Sequence, residues 1–218
     1  SKGKYYPEGH PLNNQESIEI KHMTAKEEDI LTSVSFLKKG IALDKMLQSI
    51  IVDKRIKVED LLIGDKNALL VASRIFGYGS DYKVQVACQH CDASFDTIFD
   101  LNALTPQEEK DIEAIVKTDN KTFVVTLPKS SIVVEFRLLT SRDETTINTN
   151  KNSGTLALLK LITVSVNSQT DGFFIERALQ SLPILDTTIL KKAYGSMMPD
   201  VDMTQTVECT ECGEAFEM

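Results

Sequence analysis

The sequence has no tryptophan, only three histidines and four cysteines among its 218 residues. Imidazole chemistry has little to draw on, because His10, His22 and His90 lack the H-E-x-x-H spacing that sets two rings on one helix face. No G-x-x-x-x-G-K-[ST] phosphate cradle occurs, Gly77-Tyr78-Gly79 falls short of a dinucleotide fingerprint, and no G-x-S-x-G elbow presents a nucleophilic serine. Carboxylate pairs such as Asp60/Asp65 and Asp143/Glu144 carry no catalytic signature, since pairs arise freely among 32 acidic residues. A non-enzymatic role is expected. Long apolar runs are also lacking: the longest, Thr155 to Val166, is interrupted by Lys160 and falls short of the roughly 20 residues that span a bilayer. Ser1 to Leu12 shows no apolar centre or small-residue cleavage site of a secretory signal, so a reducing cytoplasm is the expected setting, with no membrane. Acid exceeds base by 32 to 24, and the net charge of −8 suits a phosphate-neutralising surface poorly.

With 42% hydrophobic residues the chain has material for one or two cores. Residues 1–22 read as an extended arm, since Pro7, Gly9, Pro11, Asn13 and Asn14 discourage helix. Residues 23–80 read as a helical region. Thr24 and Glu27 form a capping box ahead of the stripe Ile30, Leu31, Val34 and Leu37, which stops at Gly40. Leu43, Met46, Leu47, Ile50 and Ile51 make a second stripe. Ala68, Leu69, Ala72, Ile75 and Phe76 make a third, capped by Asp65 and stopped by Gly77. Tyr82 to Val86 alternates as a strand leading into Cys88.

Further on, residues 105–117 read as a charged helix with Ile112, Ile115 and Val116 inward. Thr122 to Leu127 and Ser131 to Leu139 read as strands joined through residues 128–130. Thr140 or Ser141 caps a helix through Asn150, residues 156–166 read as helix in preference to strand, two alternatives that periodicity alone does not separate, and residues 173–182 read as helix. Asp186 is expected to cap a last helix reaching Tyr194. The charge is uneven: residues 1–87 hold 13 basic and 12 acidic side chains, leaving 11 and 20 for the remainder. A solvated acidic face is the ordinary reading of that excess, ahead of a dedicated site for a basic partner.

The cysteines fall in matching frames, Val86-Ala87-Cys88-Gln89-His90-Cys91-Asp92-Ala93-Ser94-Phe95 and Val207-Glu208-Cys209-Thr210-Glu211-Cys212-Gly213-Glu214-Ala215-Phe216. Val, both Cys and Phe coincide at equal offsets. A tight turn between two cysteines points both sulfurs inward while backbone N–H groups donate to them, which is what a zinc knuckle requires. Two knuckles supply four thiolates, a closed shell, so Cys88, Cys91, Cys209 and Cys212 are expected to hold one structural zinc per chain. The 117 residues from Asp92 to Glu208 would then be an insertion stapled at its base. Competing readings are redox dithiols, intermolecular half-sites or reduced buried thiols. Neither pair opens a good helix of the kind that lowers a redox thiol's pKa, and His90 between two knuckle cysteines is expected to point outward. The expected fold is α+β: a helical region joined to a two-knuckle zinc ribbon (residues 81–101 plus 201–218), with a mixed α/β insertion at residues 102–200.

SKGKYYPEG at residues 1–9, TAKEEDIL at 24–31, LLIGDKNALLVASRIFGYG at 61–79 and the split C-x-x-C pairs together resemble the T-even-type phage baseplate protein family. That resemblance implies a baseplate hub assembly protein of contractile-tailed phages, either a chaperone or a hub subunit retained in the particle. Its implied partners are hub or central spike proteins, met in the host cytoplasm during assembly or in the virion tail baseplate. No catalytic residue comes with it. The arm is the first candidate contact surface, through Tyr5, Tyr6 and Pro7, because exposed aromatics give large contact area at low entropic cost. The opposing reading folds both tyrosines onto the protein's own helices. A zinc-ribbon factor for nucleic acid or transcription is the rival function. Charge disfavours it, since Glu208, Glu211, Glu214, Asp92 and Asp96 surround the knuckles with no nearby cation beyond Lys83.

Overall fold

The computed structural model describes residues 1–107, 114–149 and 154–218. In chain order the helices are α1 (Ala25–Thr32), α2 (Val34–Lys38), α3 (Ala42–Ile50), α4 (Ile63–Tyr78), α5 (Ser141–Thr149), α6 (Thr155–Ile162), α7 (Gly172–Gln180) and α8 (Ile184–Met197). The strands are β1 (Asp81–Ala87), β2 (Ser94–Asp100), β3 (Thr105–Pro106), β4 (Ile115–Lys117), β5 (Phe123–Thr126), β6 (Val133–Phe136), β7 (Thr163–Val166), β8 (Val201–Asp202), β9 (Thr206–Glu208) and β10 (Ala215–Glu217). The fold is mixed α/β, and the chain forms two compact units, each assembled from three segments: Ser1–Glu19, Ile51–Lys66 and Glu108–Pro199 in one; Ile20–Ile50, Asn67–Gln107 and Asp200–Met218 in the other.

The first unit is built on an antiparallel sheet in the order β4-β5-β6-β7. Phe123 and Val125 on β5 alternate inward with Val134 and Phe136 on β6, and all four are buried. The expected hairpin at residues 122–139 is therefore present, with Phe123 stacked on Phe136 at 5.4 Å. Asp186 was expected to cap α8, yet that helix starts earlier, after Pro183. The fully buried Asp186 carboxylate instead accepts from the Lys129 and Ser130 amides at the turn between β5 and β6, at 3.0 and 2.8 Å. Residues 156–166 are neither all helix nor all strand: α6 ends at Ile162, and the Thr163–Val166 run, β-branched apart from Ser165, pairs with β6. α5 forms where Thr140 or Ser141 predicts its start, and α7 covers most of the helix expected over residues 173–182, its cap supplied by Asp171, which accepts from the Phe174 amide.

The opening segment winds through consecutive turns rather than running extended. Tyr6 is 2% exposed; its hydroxyl donates to Asp65 at 2.8 Å and accepts from the Leu62 amide at 3.0 Å. Burial first, then the Asp65 charge, holds this phenol protonated well above its ordinary range.

The second unit begins with α1, α2 and α3. The single helix expected to run to Gly40 is broken at Ser33, whose extended backbone (ψ 111°) separates α1 from α2. Glu27 is buried, and its carboxylate accepts from the Thr24 amide (2.9 Å), the Thr24 hydroxyl (2.6 Å) and the Ser49 hydroxyl on α3 (2.5 Å). α4 runs through Gly77, which lies against the Met23 side chain, and stops at Gly79, where φ is +85°. β1 follows as expected. The helix expected over residues 105–117 is not formed at its ends: Thr105–Pro106 pair with Asp202 and Val201, and Ile115–Lys117 pair with β5 in the other unit's sheet. Ile112 and the other positions from 108 to 113 lie outside the described residues.

Candidate metal centre

β1 and β2 form a hairpin in which Val86 faces Phe95, Val84 faces Thr97 and Tyr82 faces Phe99. Alternation puts these side chains on one face and Asp81, Lys83, Asp96 and Asp100 on the other. A second, shorter hairpin joins β9 to β10, with Val207 opposite Phe216. Val86, Phe95, Val207, Phe216, Cys88 and Cys209 are buried together as one small apolar cluster. The residues that coincide between the two sequence frames are thus the ones that pack on one another.

The two turns repeat the same bonding. The Cys88 amide donates to Ala93 O at 2.9 Å and the Asp92 amide to Cys88 O at 3.1 Å. The Cys209 amide donates to Glu214 O at 3.0 Å and the Gly213 amide to Cys209 O at 2.9 Å. Asp92 and Gly213 occupy the same place and both take left-handed backbone, with φ of 57° and 72°. Glycine adopts that region without penalty and Asp with a small one, which explains why Gly213 needs no glycine counterpart in the first turn. Inside each turn an amide points at the first sulfur: His90 N lies 3.3 Å from Cys88 Sγ and Glu211 N 3.4 Å from Cys209 Sγ.

All four sulfurs lie within 4.8 Å of one another. The cross-hairpin pairs are Cys88 to Cys212 at 3.7 Å and Cys91 to Cys209 at 3.8 Å. A tetrahedron of sulfurs with bonds of about 2.3 Å to a central zinc has edges of about 3.8 Å, so the donor set fits a tetrahedral thiophilic cation. Cys88 and Cys209 are buried, whereas Cys91 and Cys212 lie at the surface. The Cys212 amide, followed by that of Glu211, lowers the Cys209 thiol to about 7 against the opposing effect of burial. The Ala93 amide pulls Cys91 downward, but burial and the hydrogen bonds with Cys212, Cys88 and Cys209 carry it up to about 12. The turn amides thus favour negative charge on Cys209, in a donor set suited to a cation that displaces thiol protons.

His90 is exposed with its ring 6.4 Å from that of Phe216, outside the sulfur cluster, as expected. The three proposed contact residues fare differently from one another. Tyr6 is buried and bonded internally; Tyr5 is half-buried with its ring 5.3 Å from Phe123; Pro7 is exposed. The strand β2 was not singled out from the sequence, although Phe95, Thr97 and Phe99 carry the period of two that announces it. The Gln89 side chain, which reaches Glu217 O on the opposite hairpin at 3.4 Å, had no sequence signal.

These features define a mixed α/β protein whose two cysteine turns, far apart in sequence, meet in a four-sulfur cluster. The chain belongs to the family described as T4 bacteriophage base plate protein, whose model matches residues 7–218. It is accordingly a phage baseplate protein, part of the virion or of its assembly, and membership implies interaction with other baseplate proteins. No curated protein and no solved structure matches it. Among the described residues no helix is long and apolar enough to cross a membrane.

Proposed function

We propose that this chain is a non-enzymatic baseplate hub assembly protein, acting as chaperone or hub subunit by binding hub or central spike proteins, and that its four cysteines hold one structural zinc. The observation that carries this reading is the cysteine constellation, set in a chain matched almost end to end by a baseplate family. Four sulfurs at tetrahedral spacing fill the coordination shell of zinc, so no position remains for water or substrate, and the metal serves as a clamp. Cys88 and Cys91 hold it from the first hairpin and Cys209 and Cys212 from the second. The small apolar cluster beneath them then needs only to orient the hairpins. Bound zinc supplies a fixed charge and four directional bonds; the chain supplies the two turns, the amides aimed at the buried sulfurs, and the positions of the donors.

Two measurements test this. Purified protein should carry one equivalent of zinc, and Cys88→Ser or Cys209→Ser should lose both the metal and the protection of residues 206–218 against proteolysis. Metal-free protein that melts unchanged would refute the zinc clamp. Separately, the chain should co-purify with hub or spike proteins co-expressed with it; absence of any such complex would refute the assembly role while leaving the metal assignment standing. Salt-sensitive binding to DNA or RNA would favour the ribbon-type nucleic-acid reading, which the five carboxylates and no cations of residues 201–218 oppose.

A further inference from the structure

α2 has an apolar composition and no buried residue. Val34 and Leu37, one turn apart on this helix, are 64% and 56% exposed, and Leu43 at the start of α3 is 48% exposed. Lys38 and Lys39, at the end of α2, stand exposed beside Val34 and Leu37, and neither makes an ion pair with the described residues. Isolated exposed leucines need no explanation, but an apolar helix segment with unpaired cations at its rim has the make-up of an interface. The charge calls for a partner surface that is acidic and presents apolar side chains of its own.

That chemistry is present at the other end of the same sequence. Residues 201–218 carry Asp202, Glu208, Glu211, Glu214 and Glu217, all exposed, and no Lys, Arg or His. No cation of the described residues lies within ion-pairing distance of these carboxylates. Met203 and Met218 are 60% and 48% exposed. Gln205 and Met218 exchange backbone hydrogen bonds at 2.9 and 3.0 Å, which places Met218 two residues from Met203 at the open end of the hairpin. Methionine packs adaptably against apolar partners.

We infer that the apolar face of α2, with Lys38 and Lys39 at its end, docks the acidic β9–β10 hairpin of a second copy of this chain. The contact joins two different surfaces, so it is heterologous, and repetition either closes into a ring or continues as a fibre. Opposite charges meet at each junction although the whole chain is acidic. The inference is independent of the identity of the metal and of the hub partner, although it uses the hairpin that the metal would clamp.

The test is sedimentation and light scattering of the full chain across a concentration series. At low salt the average mass should rise with concentration above 24.3 kDa, and it should fall back to that value near 1 M salt, where screening reaches about 3 Å. Two double variants follow, Lys38→Glu with Lys39→Glu and Glu214→Lys with Glu217→Lys, each checked for unchanged circular dichroism and metal content. Each alone should weaken association about tenfold or more, because like charges then face each other. Mixed in equal amounts they should associate again, since the two reversed surfaces complement one another and the two unaltered ones meet as in the wild type, whereas Leu37→Ser by itself should stay unassociated and pair only through its intact hairpin with a copy that carries the wild-type face. A protein that stays monomeric at every concentration, or a mass indifferent to both reversals, overturns the inference. So does a monomer that binds phosphatidylserine-containing vesicles through Lys38 and Lys39, which would make the face a membrane contact.

Discussion

Replacing Glu27 by Ala should loosen the helical part of the second unit more than any exposed substitution on the same helix. The wild-type carboxylate is fully buried and accepts three hydrogen bonds, two from Thr24 and one from Ser49, with Lys21 Nζ at 3.7 Å. Hydrogen bonds to a charged group contribute about 1.5–3 kcal/mol each when nothing replaces them. Thr24 is exposed and can recover water, whereas Ser49 is half-buried and recovers less. The expected loss for Glu27→Ala is therefore about 2–4 kcal/mol, and about 1–2 kcal/mol for Glu27→Gln, which keeps the volume and one acceptor. The pH dependence is a second, independent readout. The Ser49 hydroxyl, then that of Thr24, holds the Glu27 carboxyl down at about 2, below its usual 4.5. A carboxyl depressed in the folded state contributes fully above its unfolded value and loses that contribution as pH falls towards the folded one. The difference between wild type and Glu27→Gln should accordingly be constant above pH ~5 and shrink on going down to pH ~2. Hydrogen exchange of the α1 and α3 amides reads the local stability directly. Protection of those amides in Glu27→Ala within about 0.5 kcal/mol of wild type would refute the reasoning.

Asp186→Ala should lower the melting temperature of the first unit and raise exchange at Lys129 and Ser130, whose amides it leaves without an acceptor. Those amides hold the Asp186 carboxyl below its usual range against the opposing effect of burial, so the wild-type advantage is present at neutral pH and fades on acidification. Tyr6→Phe keeps the ring stacked on His10 at 4.6 Å but removes the bonds to Asp65 and the Leu62 amide, for an expected loss of about 1–2 kcal/mol in urea unfolding. An unaltered midpoint would show that the hydroxyl contributes no more than water does. Chelation at neutral pH should raise the number of cysteines that react with a thiol reagent to four; an equal number with and without chelator would contradict a metal shared by all four.

Local signals predicted the elements that local chemistry controls. Helix α3 forms where its stripe lies and α5 where its cap lies, and the β5–β6 hairpin where β-branched runs flank Pro128, Lys129 and Ser130. The failures share a cause. The 105–117 segment carries a helix-start pattern, yet Thr105 and Pro106 pair with β8, almost a hundred residues later, and Ile115 to Lys117 find β5. Propensity yields where a distant strand offers a ladder and burial. Asp186 has the composition of a helix cap, but a buried carboxylate goes where unpaired amides are, and those belong to another element.

Matching frames around Cys88 and Cys209 were enough, from sequence alone, to expect these four cysteines to come together, because a knuckle is a property of ten consecutive residues: its turn, its amides and its sulfurs are all local. The sequence likewise determined the acidity of the last eighteen residues and the family to which the chain is similar. Tertiary structure alone decided that the two turns bring their sulfurs to 3.7 and 3.8 Å, and that Cys88 and Cys209 are buried while their partners are not. It also decided that Tyr6, an apparent contact residue, faces Asp65 and Leu62 inside its own unit. Burial depends on what the rest of the chain brings to a position, and no window of neighbouring residues contains that information.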